Sequence, residues 1–171
     1  YTKIRSDCPI QLTDEIWIRN GIRVNPKKKH QKKEGWIFRP SLELCLISPS
    51  SVILKRELVE VHGMFDETLP VCEDYDLWLR LTSKYQVALL KEKLMTRHGG
   101  HVDQLSNSDW GIDRYRVKSI KKILDNEYLF PSDYLAAKQV LRKKCTILLN
   151  GFKKRGNLKG KEFYEKIINL Y

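Results

Sequence analysis

The sequence of 171 residues contains no long apolar run: no stretch approaches the ~18 consecutive apolar residues that suggest a membrane-spanning helix. Its start has no signal-peptide pattern, and it contains neither an internal repeat nor a low-complexity tract. We therefore expect a soluble, intracellular chain that is long enough to bury one core. Because it begins with Tyr1 and not with Met, we also expect an excerpt or a processed product.

Cysteine is scarce and scattered. The chain has four cysteines, and no two of them form a Cys-x-x-Cys pair. This spacing argues against a zinc site and against a disulfide framework. We predict free thiols, in a reducing compartment, for Cys8, Cys45, Cys72 and Cys145.

Negative charge is scarce as well, with 21 acidic against 32 basic residues and a formal net charge of +11. Such a balance implies an anionic partner, which could be nucleic acid, an acidic membrane surface or phosphate groups. Basic residues are dense in PKKKHQKKEG, residues 26–35, which is polar and aperiodic and so predicts a surface loop. Charge patterning favours a solvated charge run in this loop over a dedicated anion site.

The apolar pattern predicts an α/β region followed by helices. Asn20 and Gly21 separate two β-branched runs, which predicts a hairpin over residues 14–25. From about residue 109 onward the pattern is helical, amphipathic and basic, with a seam at 107–110. The other predicted features are a strand in LELCLI, a short strand through Ile53, a helix ended by Gly63, a helix over 74–85, a strand in YQVALL, a loop in TRHGGHVDQLSN, a helix beginning at Pro131 and interruptions at Gly151 and Gly156.

Three carboxylates, Glu73, Asp74 and Asp76, stand directly before the apolar helical pattern in VCEDYDLWLR. A helix N-terminus favours carboxylates for stability alone, and this explanation covers Asp76, which can also pair with Arg80 on an exposed helix face. Glu73 and Asp74 could instead present an acid into a cleft at the edge of a sheet, where a general base would act. Spacing alone favours the stabilising explanation and leaves the catalytic one open.

Two histidines, His98 and His101, flank Gly99 and Gly100. Imidazole suits borderline divalent metals, and the flexible glycines would let it approach a ligand closely. A glycine turn with exposed histidines explains the same residues, and the residues alone favour that interpretation.

Three segments of the sequence carry a family resemblance: TDEIWIRNGIRVNPKKKHQK, SPSSVILKRELVEVHGMFDETLPVCEDYDLWLR and HGGHVDQLS. They resemble bacterial family 2 glycosyltransferases with a GT-A fold, and the similarity runs from about Leu12 to Arg116. The most specific segment is GMFDETLPVCEDYDLWLR, which is similar to the family's Phe-Asp-Glu loop followed by its Glu-Asp motif. The resemblance implies an α/β fold with a partial GT-A-like mixed sheet and flanking helices over 1–111, followed by a basic helical extension over 112–171.

The resemblance also implies a chemistry. Asp74 would be the catalytic base with Glu73 beside it, and His101, with His98 as the second choice, would be a metal ligand. The expected reaction is inverting transfer of a sugar from a nucleotide-sugar to a hydroxyl of a glycan or lipid-linked acceptor, in cell-surface polysaccharide synthesis. The expected cofactor is a divalent cation, manganese or magnesium.

The family's nucleotide-binding half, with its Asp-x-Asp motif, has no counterpart in this sequence, so the resemblance concerns the acceptor side, and an amino-terminal half from a longer chain would be a partner. The expected location is the cytoplasm, with peripheral association with the inner face of an anionic membrane. One alternative is a non-catalytic remnant that serves as an interaction domain. Another is a nucleic-acid-binding module, suggested by Lys27-Lys28-Lys29 and Lys153-Lys154-Arg155 but not favoured, because no known recognition signature accompanies them.

Overall fold

The computed structural model of the chain describes residues 8–100, 111–126 and 128–171. They form a mixed α/β structure with a four-stranded mixed sheet and flanking helices, which confirms the predicted fold class at this level. The strands are β1 (Ile10–Arg19), β2 (Ile22–Val24), β3 (Val52–Leu54) and β4 (Val87–Gly99). The helices are α1 (Phe38–Glu43), α2 (Arg56–His62), α3 (Glu73–Thr82), α4 (Asp113–Asn126), α5 (Pro131–Lys154) and α6 (Leu158–Leu170), with short 3-10 turns at Lys28–His30 and Pro49–Ser51.

Strand β1 organises the sheet, because the other three strands all pair with it. It runs antiparallel to β2 near its end and antiparallel to β3 near its start, and it runs parallel to β4 along its whole length. Asn20 and Gly21 form the β1–β2 turn with φ of 51° and 77°, the left-handed conformation that a two-residue hairpin needs. The predicted hairpin is thus confirmed, although β1 begins at Ile10, earlier than predicted.

Two sequence predictions in this region are wrong. The run LELCLI is not a strand, because its first two residues end helix α1 and residues 44–48 are irregular. Phe38, Ser41 and Leu42 are the buried residues of α1 and have helical spacing, but such a short apolar run does not distinguish a helix from a strand. Strand β4 is longer than predicted and includes His98 and Gly99, because pairing with β1 continues beyond the last apolar pair.

Helix α3 lies between two hydrophobic clusters. One face, with Leu77, Trp78 and Leu81, packs against the sheet, which confirms the predicted core position of Trp78. The other face, with Tyr75 and Leu79, packs against the carboxy-terminal helices. All residues from 75 to 82 are therefore buried, which exceeds the one-sided burial that the sequence pattern indicated.

The carboxy-terminal helices share the second cluster with α1 and α3, so residues on both sides of position 112 contribute to one core. The predicted helix start at Pro131 is confirmed. Gly151 does not interrupt α5, which continues to Lys154, and Gly156 follows with φ of 64°. No helix within the described ranges is both long enough and apolar enough to cross a lipid bilayer.

Gly160 lies where α6 approaches α5 most closely. A Cβ at Gly160 would overlap the ring of Phe152, which is buried and stacked on Tyr164 with a centroid distance of 5.5 Å. We expect Gly160→Ala to lower the free energy of unfolding, although alanine is the better helix former by about 1 kcal/mol. The control variant is Gly151→Ala, where a Cβ would meet only the flexible end of the Arg155 side chain, at 2.8 Å. Urea denaturation of the two variants and of wild type measures the free energies of unfolding. The control should be neutral or stabilising, and equal behaviour of the two variants would contradict the expected clash.

A buried ion pair joins β1 to the basic loop. Lys32 donates to Glu15 at 2.8 Å and to the carbonyl oxygen of Thr13 at 2.7 Å, and the two charged side chains are 6% and 3% exposed. Lys32 also donates to the hydroxyl of Ser51, the residue before β3. It thereby connects the basic loop and Ser51 to the middle of β1, which lies between the residues that pair with β3 and those that pair with β2. The prediction that this loop is a solvated charge run is therefore wrong for Lys32.

Protonation of Glu15 is expected to cost stability in acid. Burial raises the pKa of Glu15, but the hydrogen bond and the positive charge of Lys32 outweigh burial and hold the pKa below its ordinary value of 4.5. The stabilisation is thus complete above pH 4.5 and is lost as the pH falls through the lower pKa of the folded state.

The matched measurement compares wild type with Glu15→Gln by urea denaturation from neutral pH down to about pH 3. The variant should be less stable at neutral pH, because Lys32 would be buried without its counter-charge. The difference between the two proteins should shrink in acid. A difference that stays constant with pH would contradict the assignment.

Candidate functional site

The start of α3 carries the predicted catalytic carboxylates. Cys72 precedes the helix with φ of 67°, an uncommon conformation for a residue other than glycine, and Glu73 and Asp74 are the first two helical residues. The first backbone bond of the helix runs from the N–H of Asp76 to the carbonyl oxygen of Cys72. The N–H groups of the residues before Asp76 therefore need other partners, which is why carboxylates are favoured here.

Asp74 is half-buried and has one hydrogen bond to each carboxylate oxygen. Its Oδ1 accepts from the backbone N–H of Tyr75 at 2.7 Å, and its Oδ2 accepts from the thiol of Cys45 at 3.4 Å. No Lys, Arg or His among the described residues forms an ion pair with it. Asp74 therefore keeps unused lone pairs on both oxygens.

The two cysteines near Asp74 are protonated at neutral pH. Burial raises the pKa of Cys45 well above its ordinary value, and the charge of Asp74 raises it further. Burial also raises the pKa of Cys72 to about 11, although the guanidinium of Arg116 acts in the opposite direction. The single S–H of Cys45 is shared between Asp74 and the carbonyl oxygen of Ile47, which is 3.3 Å from the sulfur. All four cysteines are free thiols, as predicted.

Asp76 has a role different from the predicted helix cap. It is 1% exposed, and its Oδ2 accepts from Arg80 at 3.0 Å and from Lys122 of α4 at 3.1 Å. Arg80 also donates to the backbone carbonyl oxygens of residues 62–64. The predicted pairing with Arg80 is therefore present, but it is buried and ties three segments together, whereas the sequence had placed it on an exposed helix face.

Glu73 is half-buried beside Asp74 and has no hydrogen bond or ion pair through its side chain within the described part of the chain. Its charge is nevertheless felt locally, because it contributes to raising the pKa of Cys72. The two adjacent carboxylates thus lie at one helix start, as the sequence predicted.

The predicted metal ligands lie elsewhere. His98 is exposed on β4, where it pairs in register with Ile18 of β1, and His101 lies outside the described residues. Among residues 8–100, 111–126 and 128–171, no three His, Cys, Asp or Glu side chains come together as a group that could hold a metal ion. The described residues therefore do not form a site that fits the expected divalent cation.

Two contacts near Asp74 could not be found from the sequence. Cys45 is 29 residues away from it in the chain, and Arg116 of α4 lies over the ring of Tyr75 with 5.8 Å between guanidinium carbon and ring centroid. Arg116 also donates to Asp113 at 3.0 Å. No spacing rule connects these positions, because the contacts arise from packing of α1 and α4 against α3.

Comparisons of the chain with protein-family models, with curated proteins and with solved structures give no significant match.

Proposed function

We propose that the chain is the acceptor-side portion of an inverting glycosyltransferase with a GT-A-like fold, and that Asp74 is its general base. The sugar would come from a nucleotide-sugar, and the acceptor would be a hydroxyl group of a glycan or of a lipid-linked sugar. The observation that carries this proposal is that two carboxylates only two residues apart differ in burial and in ion pairing. Asp76 is buried and pairs with Arg80 and Lys122, whereas Asp74 is half-exposed and forms no ion pair among the described residues.

The hydrogen bonds of Asp74 support this role. The N–H of Tyr75 donates to one oxygen of the carboxylate, and the thiol of Cys45, whose hydrogen is shared with the Ile47 carbonyl oxygen, contacts the other. Neither donor neutralises the charge as an arginine would. A general base needs such a fixed position together with a free lone pair for the incoming proton.

The backbone before the carboxylates also supports it. Cys72 adopts a left-handed conformation that typically costs a non-glycine residue about 1 kcal/mol or more. Such conformations are concentrated at functional sites, and this one directly sets the direction in which Glu73 and Asp74 leave the loop.

In the proposed reaction, Asp74 accepts the proton of the acceptor hydroxyl while that oxygen attacks the anomeric carbon. A bond forms between the acceptor oxygen and the anomeric carbon, the bond from that carbon to the nucleoside diphosphate breaks, and the configuration at the carbon inverts. Glu73 places a second carboxylate beside Asp74 at the start of the same helix. A divalent cation would neutralise the departing diphosphate, and its ligands would be residues other than the described ones.

The test is nucleotide release by the protein expressed from its own gene. It is incubated with uridine, guanosine and thymidine diphosphate sugars, with manganese or magnesium, and with hydroxyl acceptors, and nucleoside diphosphate is measured. Acceptor-dependent release that requires Asp74 supports the proposal. Release that persists unchanged without the Asp74 carboxylate, or nucleotide-sugar binding without any transfer, would favour the non-catalytic interaction domain.

A further inference from the structure

The β1–β2 hairpin and the end of β4 enclose a groove with the segment that follows β2. This cavity, here called the arm groove, has a volume of about 470 Å³. Its charged and aromatic lining consists of Trp17, Arg19, Lys27, Lys29, His30 and Arg97. None of the residues that line it hydrogen-bonds to Asp74 or Glu73, so the arm groove and the start of α3 are separate features.

Positive charge predominates among the side chains that line the arm groove. The side chains of Arg19, Lys27, Lys29 and Arg97 form no hydrogen bond and no ion pair in the described part of the chain, and no Asp or Glu is among the described residues that line the cavity. The nearest carboxylate is that of Glu15, which accepts from Trp17 and whose pKa the charge of Arg97 helps to lower. All four of these basic side chains are exposed, in contrast to the buried Lys144, which pairs with Asp113. Four cations without a directly bonded carboxylate around one concavity constitute a favourable environment for an oxyanion.

The groove is rigidly built around Trp17. Its indole N–H donates to Glu15 at 3.1 Å, and Glu15 is in turn held by the buried Lys32. The guanidinium of Arg97 lies over the indole ring, 5.1 Å from its centroid, and the ring of His30 packs against the same indole with a centroid distance of 5.4 Å. Arg97 and His30 are therefore oriented before any ligand arrives.

The pKa of the His30 imidazole responds to the positive charges around the arm groove. Burial lowers the pKa of His30, and the charges of Lys29, Arg97 and Lys27 lower it further. Three cations on two segments, the loop and β4, thus act on one imidazole. This agrees with the excess of basic side chains around the arm groove.

We propose that the arm groove binds an anionic sugar residue, through its carboxylate or phosphate group. The cations match the oxyanion, the apolar side chains of Ile18, Val24 and Pro26 suit the C–H face of a sugar ring, and the amide of Asn25 suits its hydroxyl groups. The volume is that of a small-ligand site, which fits one or two sugar residues. This inference does not depend on the catalytic role of Asp74.

Nucleic acid is the competing anion, and the geometry favours it less. Sequence-independent binding of single strands uses bare aromatic faces on which bases stack, whereas Trp17 is already engaged by Arg97 and His30.

The experiment is calorimetric titration of the protein with a hexuronic-acid trisaccharide, with glucose 1-phosphate, with the neutral trisaccharide maltotriose, with inorganic phosphate and with a dT12 oligonucleotide. The uronic-acid and sugar-phosphate arms distinguish carboxylate from phosphate as the anionic group. Lys27→Gln/Lys29→Gln is the test variant. Lys159→Gln/Lys166→Gln, two exposed and unpaired lysines on α6, is the control with the same change of net charge.

We expect one of the two anionic sugars to bind in preference to maltotriose and inorganic phosphate. The test variant should weaken this binding about tenfold or more, the control should leave it within about twofold, and the affinity should fall with added salt. The His30 imidazole, followed by NMR, should show a higher pKa when the ligand is bound, because the anion offsets the surrounding cations.

Three results would overturn the proposal. One is equal weakening by the two double variants, which would indicate a general charge effect. Another is tighter binding of dT12 than of either anionic sugar, with the same dependence on Lys27 and Lys29, which would assign the groove to nucleic acid. The third is no binding of either anionic sugar by a protein whose circular dichroism is native.

Discussion

Asp74→Asn is expected to reduce acceptor-dependent turnover by about 10²–10⁴-fold, the usual contribution of a general base. The amide keeps an oxygen that can accept from the N–H of Tyr75, so the start of α3 should remain intact. The neutral amide is not basic enough to accept the proton of the acceptor hydroxyl. The free energy of unfolding should therefore stay within about 0.5 kcal/mol of wild type, while the rate falls.

Glu60→Gln is the matched control for this prediction. Glu60 is an exposed carboxylate on α2, and its neutralisation changes the net charge equally without touching the start of α3. It should preserve turnover. If Asp74→Asn keeps turnover within a few-fold of wild type, Asp74 is not the base, whereas a stable variant with a rate as low as predicted supports the role.

Asp76→Asn is expected to have the opposite profile and to lower the free energy of unfolding by about 3–5 kcal/mol. This substitution makes the same chemical change as Asp74→Asn, but it leaves Arg80 buried without its counter-charge. It also removes one of the two carboxylate partners of Lys122, which still pairs with Asp66 at 2.9 Å. Arg80 also donates to backbone carbonyl oxygens, but these are dipoles and do not replace the full negative charge of a carboxylate. Urea denaturation at neutral pH measures the loss.

The surface pair between Arg39 and Asp133 supplies the comparison. Its atoms are 2.5 Å apart, but the Arg39 side chain is 55% exposed, so Asp133→Asn should cost less than about 1 kcal/mol. Similar losses for the two variants would mean that the Asp76 network is no stronger than an exposed pair. The assignment of Asp76 to the core would then be wrong in energetic terms.

Local signals predicted the parts of the fold that depend on a few neighbouring residues. The positive φ of Asn20 and Gly21, the start of α5 at Pro131 and the end of α2 at Gly63 follow from backbone preferences of these residue types. The helical pattern after Glu73 was equally readable, because apolar spacing persists over three turns.

Contacts between distant segments could not be predicted in this way. The buried pair of Glu15 with Lys32 and the half-buried pair of Asp76 with Lys122 join residues that are 17 and 46 positions apart. Each of these lysines looks like an ordinary solvated charge until tertiary packing supplies its partner. For the candidate site, the sequence predicted that Glu73 and Asp74 lie together but assigned the cap to Asp76, and the contact of Asp74 with Cys45 depends on where α1 ends.

Because α3 is buried on two sides, the position of Asp74 depends both on the sheet and on the carboxy-terminal helices. Tyr75, the next residue, donates its hydroxyl to the carbonyl oxygen of Leu42 at 2.6 Å and packs in the cluster that α4, α5 and α6 complete. The sheet alone would support only one side of this helix. The carboxy-terminal helices therefore support the side of α3 that faces away from the sheet. A change of packing far along α5 would consequently shift the start of α3 and reorient the Asp74 carboxylate that the proposed chemistry requires.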